Sequence, residues 1–417
     1  MSKKTIIIIL SILFALIVVL FGAAFIISFD KGVPAGEVLR DFLPFGKGSE
    51  EISRDFPSPP PATNDEKDGD DVSTPSLPRE EAGVLGLKKL TAHPIAGATT
   101  DKSVSGDTIR IYYIEQETGN VFSVFPKTGS VERLTLTTIP GMREIIWGES
   151  ALVARYLDEE EIIKSFSASI AAVKKAETPQ ELTGAFLEDD ISEMVASPSG
   201  NQIFSLSLSG NSTVGTIANF DGSGRRQVIN LRHGEWLPGW EESKTITLTR
   251  RASASVLGFS YFLNVQSGAL QKTLGNIPGL TTKTAPDAKT ILYGESAPNT
   301  YKTFVYKVGA EEKSLFPLAT FPEKCVWGSE LGVVLYCGAP ETFPQGVYPD
   351  DWYMGVISLS DSIWKINNTT GTVEFLSFPK QAANEDIDLV NPFLSTDESY
   401  LFFTNKKDSS LWSLRLK

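Results

Sequence analysis

The sequence contains few of the residues that carry most enzyme chemistry. Its 417 residues include two cysteines, two histidines and four methionines. Two cysteines exclude a disulfide framework and a cysteine-rich zinc site. The sequence also has no Gly-x-Ser-x-Gly elbow, no Gly-x4-Gly-Lys loop and no His-Glu-x-x-His pair. It therefore lacks the signatures of common serine hydrolases, nucleotide-binding enzymes and zinc proteases.

The sequence has fewer basic than acidic residues. There are 38 Lys and Arg against 51 Asp and Glu, which gives a formal net charge of −13 at pH 7. A negative surface repels nucleic-acid phosphates and anionic lipid headgroups. We therefore expect no nucleic-acid partner, whereas a basic partner or a cation is compatible with this charge.

A long helical period is missing after residue 29, and a different repeat takes its place. A turn of small or acidic residues followed by an apolar strand recurs seven times, with starts 44, 50, 43, 45, 42 and 68 residues apart. One four-stranded propeller blade has about this length. The copies are residues 103–109, 147–153, 197–203, 240–246, 285–291, 327–333 and 395–401.

The repeat predicts an all-β fold, a seven-bladed β-propeller over residues 84–417. Six or eight blades remain open, because the second repeat is irregular near residues 158–161. The last repeat ends before a fourth strand. Since an unpaired sheet edge is a liability, we predict that residues 87–91 supply that strand and close the ring.

The copies resemble the repeat of TolB-type and WD40-like β-propellers, whose first turn commonly reads Ser-Pro-Asp-Gly. Residues 197–200 (Ser-Pro-Ser-Gly) and 285–288 (Ala-Pro-Asp-Ala) come closest, and the three copies that begin with Trp depart from it. The resemblance implies a fold and no activity. The layout is also similar to single-span propeller proteins of candidate-phylum bacteria, with residues 90–97 and 348–353 as the shared stretches, and this likeness brings no chemistry.

The longest apolar run lies at the N-terminus. Residues 5–29 follow Lys3 and Lys4, and 25 residues are enough to span a bilayer as a helix. Lysines before the span place the N-terminus in the cytoplasm and the rest outside the cell membrane. The alternative is a cleaved signal peptide ending near residues 22–24, but its apolar region would typically be only about 7–15 residues long. Residues 30–83 are rich in Pro and acidic residues, which predicts a flexible linker.

The widest gap between copies contains an insertion, residues 338–361, between a second and a third strand. It carries an aromatic and acidic set of candidate binding residues. A long loop on a rigid scaffold is a common binding surface. The alternative is a lid whose aromatic side chains pack over the channel, and both interpretations stay open. The candidates are Tyr348, Asp350, Asp351, Trp352 and Tyr353.

Links between blades on the same face add Asp189, Asp190, Asp386 and Asp388. With the insertion they would ring the channel mouth with carboxylates. Such oxygen-rich groups suit calcium, and a negative mouth attracts basic peptides or amino sugars. The alternative is a set of scattered, solvated carboxylates. Beyond calcium, no cofactor is expected.

The two cysteines fall on neighbouring predicted strands. If Trp327 lies opposite Val333, Cys325 and Cys337 are diagonal neighbours, roughly 7–8 Å apart, which is long for a disulfide. We therefore expect two free thiols, although a shift of register would reopen the question.

Together these patterns predict a membrane-anchored, extracytoplasmic propeller that binds a protein or an envelope glycan through the face with residues 350–353. One alternative is an envelope hydrolase or lyase with Asp190, Asp351 or Asp386 as acid and base. Another is a purely structural ectodomain. Buried, coupled carboxylates in the channel would favour the enzyme, and a sealed lid alone would favour the structural role.

Overall fold

The computed structural model describes residues 86–101, 108–158, 160, 162–188, 191–232 and 234–417. The predicted anchor at residues 1–29 and linker at residues 30–83 lie outside the described residues. Within the described ranges, no helix has both the length and the apolar character needed to cross a bilayer.

The described residues form seven antiparallel sheets of four strands each. The strands of the first half are β1 Leu87–Lys89, β2 Ile95–Thr100, β3 Ile111–Glu115, β4 Val121–Val124, β5 Val131–Arg133, β6 Met142–Trp147, β7 Ala151–Leu157, β8 Ile163–Ser169, β9 Gly184–Phe186, β10 Ile191–Ala196, β11 Gln202–Ser209, β12 Ser212–Asn219, β13 Arg226–Arg232 and β14 Trp236–Glu242. Those of the second half are β15 Thr245–Arg250, β16 Leu257–Asn264, β17 Leu270–Pro278, β18 Thr281–Thr284, β19 Thr290–Ala297, β20 Thr300–Lys307, β21 Glu312–Leu315, β22 Cys325–Trp327, β23 Val334–Pro340, β24 Asp361–Asn367, β25 Thr372–Ser377, β26 Leu389–Leu394, β27 Tyr400–Asn405 and β28 Leu411–Arg415.

Helical structure in these ranges is short. Two α-helical turns, α1 Asp350–Tyr353 and α2 Pro379–Ala382, and two 3-10 turns, Val173–Lys175 and Pro322–Lys324, lie in loops or links between strands. Three of them lie in a second-to-third-strand loop or in links between blades, and Val173–Lys175 lies between a third and a fourth strand.

Each sheet is one blade. Blades 1 to 6 take β2–β5, β6–β9, β10–β13, β14–β17, β18–β21 and β22–β25 in chain order, and blade 7 takes β26–β28 with β1. Every junction between a first and a second strand falls within or beside one of the seven sequence copies. The seven-bladed propeller is therefore confirmed.

The N-terminal strand closes the ring. Strand β1 pairs antiparallel with β28, with Leu87 opposite Leu414 and Lys89 opposite Trp412, and the Leu90 amide donates to the Leu411 carbonyl oxygen at 2.8 Å. The first described strand is thus the outer strand of the last blade, as the truncated final repeat predicted. This pairing covers an edge that would otherwise be open.

Apolar side chains pack between neighbouring blades. Between blades 3 and 4, Phe204 and Leu206 of β11 lie in one buried cluster with Trp240 of β14 and Leu248 of β15. The outer strands β5 and β21 are exposed along their whole length. This arrangement leaves the first strands to line the central channel.

The cysteine prediction is wrong. Trp327 lies opposite Leu335, two residues further along β23 than expected, so Cys325 is directly opposite Cys337. Their Cα atoms are 4.1 Å apart and the two residues form a disulfide. The length of the connection between β22 and β23 sets this register, and the sequence pattern alone did not determine it.

Candidate functional site

The insertion between β23 and β24 folds onto the propeller around two aromatic side chains. Tyr348 is fully buried and Trp352 is 2 % exposed. The Trp352 ring stacks on Phe321 at 4.4 Å between centroids with an interplanar angle of 13°. We call residues 341–360 the lid, because its central indole is enclosed by the protein.

A fully buried group of charges lies beneath the lid. The side chains of Lys324, Asp361 and Asp388 have no exposed surface. Lys324 Nζ donates to Asp361 Oδ2 at 2.5 Å and also to Asp388 Oδ1. One ammonium group between two carboxylates is the pairing that buried charges require. We call these three residues the lid cluster.

Asp388 fastens the lid to this cluster. Its carboxylate accepts hydrogen bonds from Trp352 Nε1 at 3.0 Å and from the Leu359 amide at 3.0 Å. Lys406 Nζ donates to the Trp352 carbonyl oxygen at 2.8 Å. Lys324 and Lys406 place their ammonium groups 5.1 and 5.2 Å from the Trp352 ring centroid, within the range of cation–π attraction.

Asp361 has one oxygen without a partner. Its Oδ2 binds Lys324 and the Leu389 amide at 2.7 Å, but Oδ1 is buried and accepts no hydrogen bond from a described residue. Burial raises the pKa of Asp361 to about 6, and the nearby Lys324 opposes the shift. An unpaired oxygen is where a proton would be held.

The other described aspartates of the predicted site make hydrogen bonds outside the lid cluster. Asp350 Oδ2 accepts from the Ala254 amide, and Asp351 Oδ2 accepts from the Val347 amide, each at 2.7 Å. Asp386 accepts from Ser360 and pairs with Lys407 Nζ at 3.0 Å. The Ser360 hydrogen bond is the main cause of the lowered pKa of Asp386.

The structure therefore brings Tyr348, Trp352 and Asp388 together at the lid and places Asp350, Asp351 and Asp386 in separate hydrogen bonds. Asp189 and Asp190 lie outside the described residues. Their binding role stays a prediction. Among the residues that the structure describes, no three His, Cys, Asp or Glu side chains group closely enough to hold a metal ion, and the calcium prediction rested in part on Asp189 and Asp190.

Tyr353 connects the lid to the central channel. Its hydroxyl donates to Glu323 Oε1. Burial and the adjacent Glu323 carboxylate raise the pKa of Tyr353 well above its usual value. Of the predicted site residues that the structure describes, Tyr353 is the one that reaches a channel carboxylate.

The channel holds a cavity of about 260 Å³ lined by residues of β14, β15, β18, β22 and β26 and of the link before β22. Its charged residues are Glu241, Lys283 and Glu323, which we call the channel cluster. Lys283 Nζ lies 3.9 Å from Glu241 Oε1. Burial raises the pKa of both glutamates. Lys283 opposes the shift at Glu241, and the Tyr353 hydrogen bond opposes it at Glu323.

A β-bulge directs Glu241 into the channel. Gly239 pairs with Thr247 and Glu242 pairs with Thr245, so Trp240 and Glu241 together face one residue of β15. The bulge lets Trp240 enter the core between blades 3 and 4 while Glu241 lines the cavity. Bulges are frequent next to functional sites because they redirect side chains.

Sequence reasoning missed the channel cluster. Glu241 belongs to a copy of the repeat that was interpreted as a turn, and β14 in fact continues to Glu242. Glu323 lies in the link before β22, on the face where other link carboxylates were identified. Applying the same rule to residues 322–324 would have found it.

Comparison with known proteins shows the fold alone. No family model and no curated protein matches this sequence. An oligogalacturonate lyase in complex with manganese superposes with a TM-score of 0.53 and 10 % identity, over 79 % of this chain and 93 % of that chain. An oligogalacturonate lyase from Vibrio parahaemolyticus gives 0.53 and 9 % over 79 % and 93 %. A putative TolB from Agrobacterium tumefaciens gives 0.41 and 11 % over 62 % and 88 %. The described residues form a seven-bladed β-propeller, and this fold is similar to that of the two lyases.

Proposed function

We propose that this chain is a cell-envelope propeller that residues 5–29 anchor in the membrane, and that it binds a protein or glycan partner through the lid face. The apolar run after Lys3 and Lys4 supports the anchor and an extracytoplasmic propeller. The absence of the common catalytic motifs from the sequence supports binding rather than catalysis.

The observation that carries the proposal is an apolar rim on the lid face. Met354 and Val356 follow α1 and are 68 % and 70 % exposed. Three more residues are also more than half exposed: Val347 of the lid, Val256 of the adjoining loop, and Leu257, with which β16 begins. These five residues are the apolar rim.

The two loops of the rim are held together. The Ala254 amide donates to Asp350 Oδ2 at 2.7 Å. Pro349 of the lid packs closely against Gly279, because a Cβ added to Gly279 would lie only 3.1 Å from Pro349 Cδ. With Trp352 buried beneath, the lid is fastened while its tip presents apolar side chains to solvent. Exposed apolar groups gathered on a rigid support are typical of a protein-binding surface.

The test is capture from solubilised envelope with the full-length protein. A Met354→Ser/Val356→Ser variant should lose the captured partner. Leu315→Ser is the matched control, since Leu315 is 69 % exposed on the outer strand β21 and should retain it. Equal capture by both variants would remove the lid face from the proposal.

The anchor has its own test. The full-length protein should stay in the membrane fraction after alkaline carbonate extraction, and protease added outside intact cells should digest the propeller. Release into the soluble fraction would contradict the proposed anchor without bearing on the apolar rim.

Catalysis is the second candidate, favoured by the raised pKa of Glu241 and of Glu323 in the channel. Carboxyl groups with raised pKa suit acid and base catalysis, including that of glycan hydrolases and lyases. Turnover of an acidic or neutral polysaccharide that disappears in Glu323→Gln would establish this function. Absence of turnover across such substrates would leave binding as the function.

A further inference from the structure

The channel cluster contains more negative than positive charge. Glu241 and Glu323 contribute two carboxyl groups and Lys283 contributes one ammonium group, at 3.9 Å from Glu241. In each glutamate the Oε2 atom is enclosed and accepts no hydrogen bond from a described residue. A buried carboxylate without such bonds is destabilising. The cluster therefore has two carboxylate oxygens that a further donor would pair.

The hydroxyl groups of the cavity wall bond mainly to one another. The Thr247 and Thr284 hydroxyls bond each other at 2.8 Å, and Thr249 bonds Thr282 at 2.6 Å. The Thr281 hydroxyl is 2.9 Å from that of Tyr301. A pair of hydroxyls uses one O–H donor, so the wall keeps some neutral donors, and a Thr281 hydrogen bond opposes the raised pKa of Glu323. No hydroxyl supplies a positive charge, so the wall does not balance the excess negative charge of the two carboxyl groups.

The size and access of the cavity limit what can enter. Its volume of about 260 Å³ lies below the roughly 300–1,000 Å³ of sites for drug-sized ligands. The side chains of Lys283 and Glu241 keep 37 % and 21 % of their exposure, so the cavity is reached from the channel. It suits a single small group better than an oligosaccharide.

We propose that the channel cavity binds one ammonium or guanidinium group, carried by a free amine or by a basic side chain. Such a group donates several N–H bonds and balances the excess negative charge of the two carboxylates. The raised pKa of both glutamates has the same origin, because it reflects carboxylates that lack sufficient compensation. This inference goes beyond the proposed function, since it does not involve the apolar rim.

Saturation-transfer NMR on the purified full-length protein tests the proposal, with n-butylammonium as probe and neutral n-butanol as its control. Butylammonium should bind and butanol should not. Glu323→Gln and Glu241→Gln should each weaken binding about tenfold or more, as expected for the loss of a charged hydrogen bond. Glu312→Gln is the matched control, because Glu312 is largely exposed on β21, and it should leave binding unchanged.

A second variant guards against loss by misfolding. Lys283→Met removes the competing cation and should tighten butylammonium binding, which a damaged fold cannot do. Nα-acetyl-lysine-N-methylamide, whose side-chain ammonium group is free, distinguishes a basic side chain from a free amine as the natural ligand. Tighter binding than butylammonium assigns the site to a basic side chain, and weaker binding assigns it to a free amine. The proposal is overturned if butylammonium shows no binding up to roughly 10 mM, binds no better than butanol, or binds both glutamine variants as it does the wild type.

Discussion

The lid cluster and the channel cluster have the same composition, one lysine and two carboxyl groups, and different geometry. In the lid cluster the side chains are fully buried and Lys324 Nζ is 2.5 Å from Asp361. In the channel cluster the nearest pair is 3.9 Å apart and both partners are partly exposed. Charges that are buried and tightly paired hold the lid in place, whereas the looser channel cluster leaves carboxylate oxygens unpaired at a cavity.

Three consecutive residues join the two regions. Glu323 lines the channel cavity, Lys324 enters the lid cluster, and Cys325 is tied to Cys337 of β23. The 3-10 turn Pro322–Lys324 turns neighbouring side chains to opposite sides. One short link thus supports both clusters.

We expect the largest loss of stability when the lid cluster loses its lysine. Lys324→Met should lower the free energy of unfolding by about 3–5 kcal/mol, because it leaves two buried carboxylates without a cation. Urea unfolding of the full-length protein measures it. Lys283→Met is the counterpart in the channel and should change stability by less than about 1 kcal/mol. Similar losses of stability in both variants would contradict the difference proposed between the lid cluster and the channel cluster.

Removing the indole of the lid should have the second-largest effect on stability. Trp352→Ala removes a buried ring that stacks on Phe321 and donates to Asp388, and we expect a loss of about 3–4 kcal/mol. Tyr353→Phe removes only the hydrogen bond to Glu323 and should lose about 1 kcal/mol. Thermal unfolding compares the two. A Trp352→Ala protein as stable as Tyr353→Phe would show that the lid does not depend on its buried ring.

The disulfide has a smaller expected effect. Cys325 and Cys337 close a short loop with a sequence separation of 12, and removing such a crosslink typically lowers stability by about 2–3 kcal/mol. The Cys325→Ala/Cys337→Ala variant should unfold at lower urea concentration than the wild type. Dithiothreitol should weaken the wild type and leave the variant unaffected, and equal sensitivity would argue against the crosslink.

The smallest expected effect concerns pH. The pKa of Asp361 is about 6 in the folded protein and about 3.9 in an unfolded chain. The folded state thus binds this proton more tightly, so the stabilisation is complete below about pH 4 and is lost as pH rises through 6. Relative to Asp361→Asn, the wild type should gain about 1 kcal/mol between pH 7 and pH 5. Parallel pH profiles for the two proteins would contradict the assignment.

The repeated turns were enough to predict the blades, because each marks where a first strand passes into a second. The truncated last repeat likewise predicted the pairing of residues 87–91 with β28. Contacts that depend on the register between strands could not be predicted from the sequence. Nothing in the pattern shows that β22 and β23 place Cys325 opposite Cys337, or that a bulge turns Glu241 towards the channel. The insertion was placed correctly between a second and a third strand. The pairing of Asp388 with Lys324 was not predictable, because it joins the two links on either side of blade 6.

The most direct test compares two double variants at pH 7 by urea unfolding of the full-length protein. Asp361→Asn/Asp388→Asn leaves Lys324 buried without a counter-charge, and we expect the free energy of unfolding to fall by about 3–5 kcal/mol. Glu241→Gln/Glu323→Gln removes carboxylates that are short of partners, and stability should be unchanged or higher. Equal losses in the two variants would show that the channel cluster stabilises the fold as much as the lid cluster does, which contradicts the distinction between them.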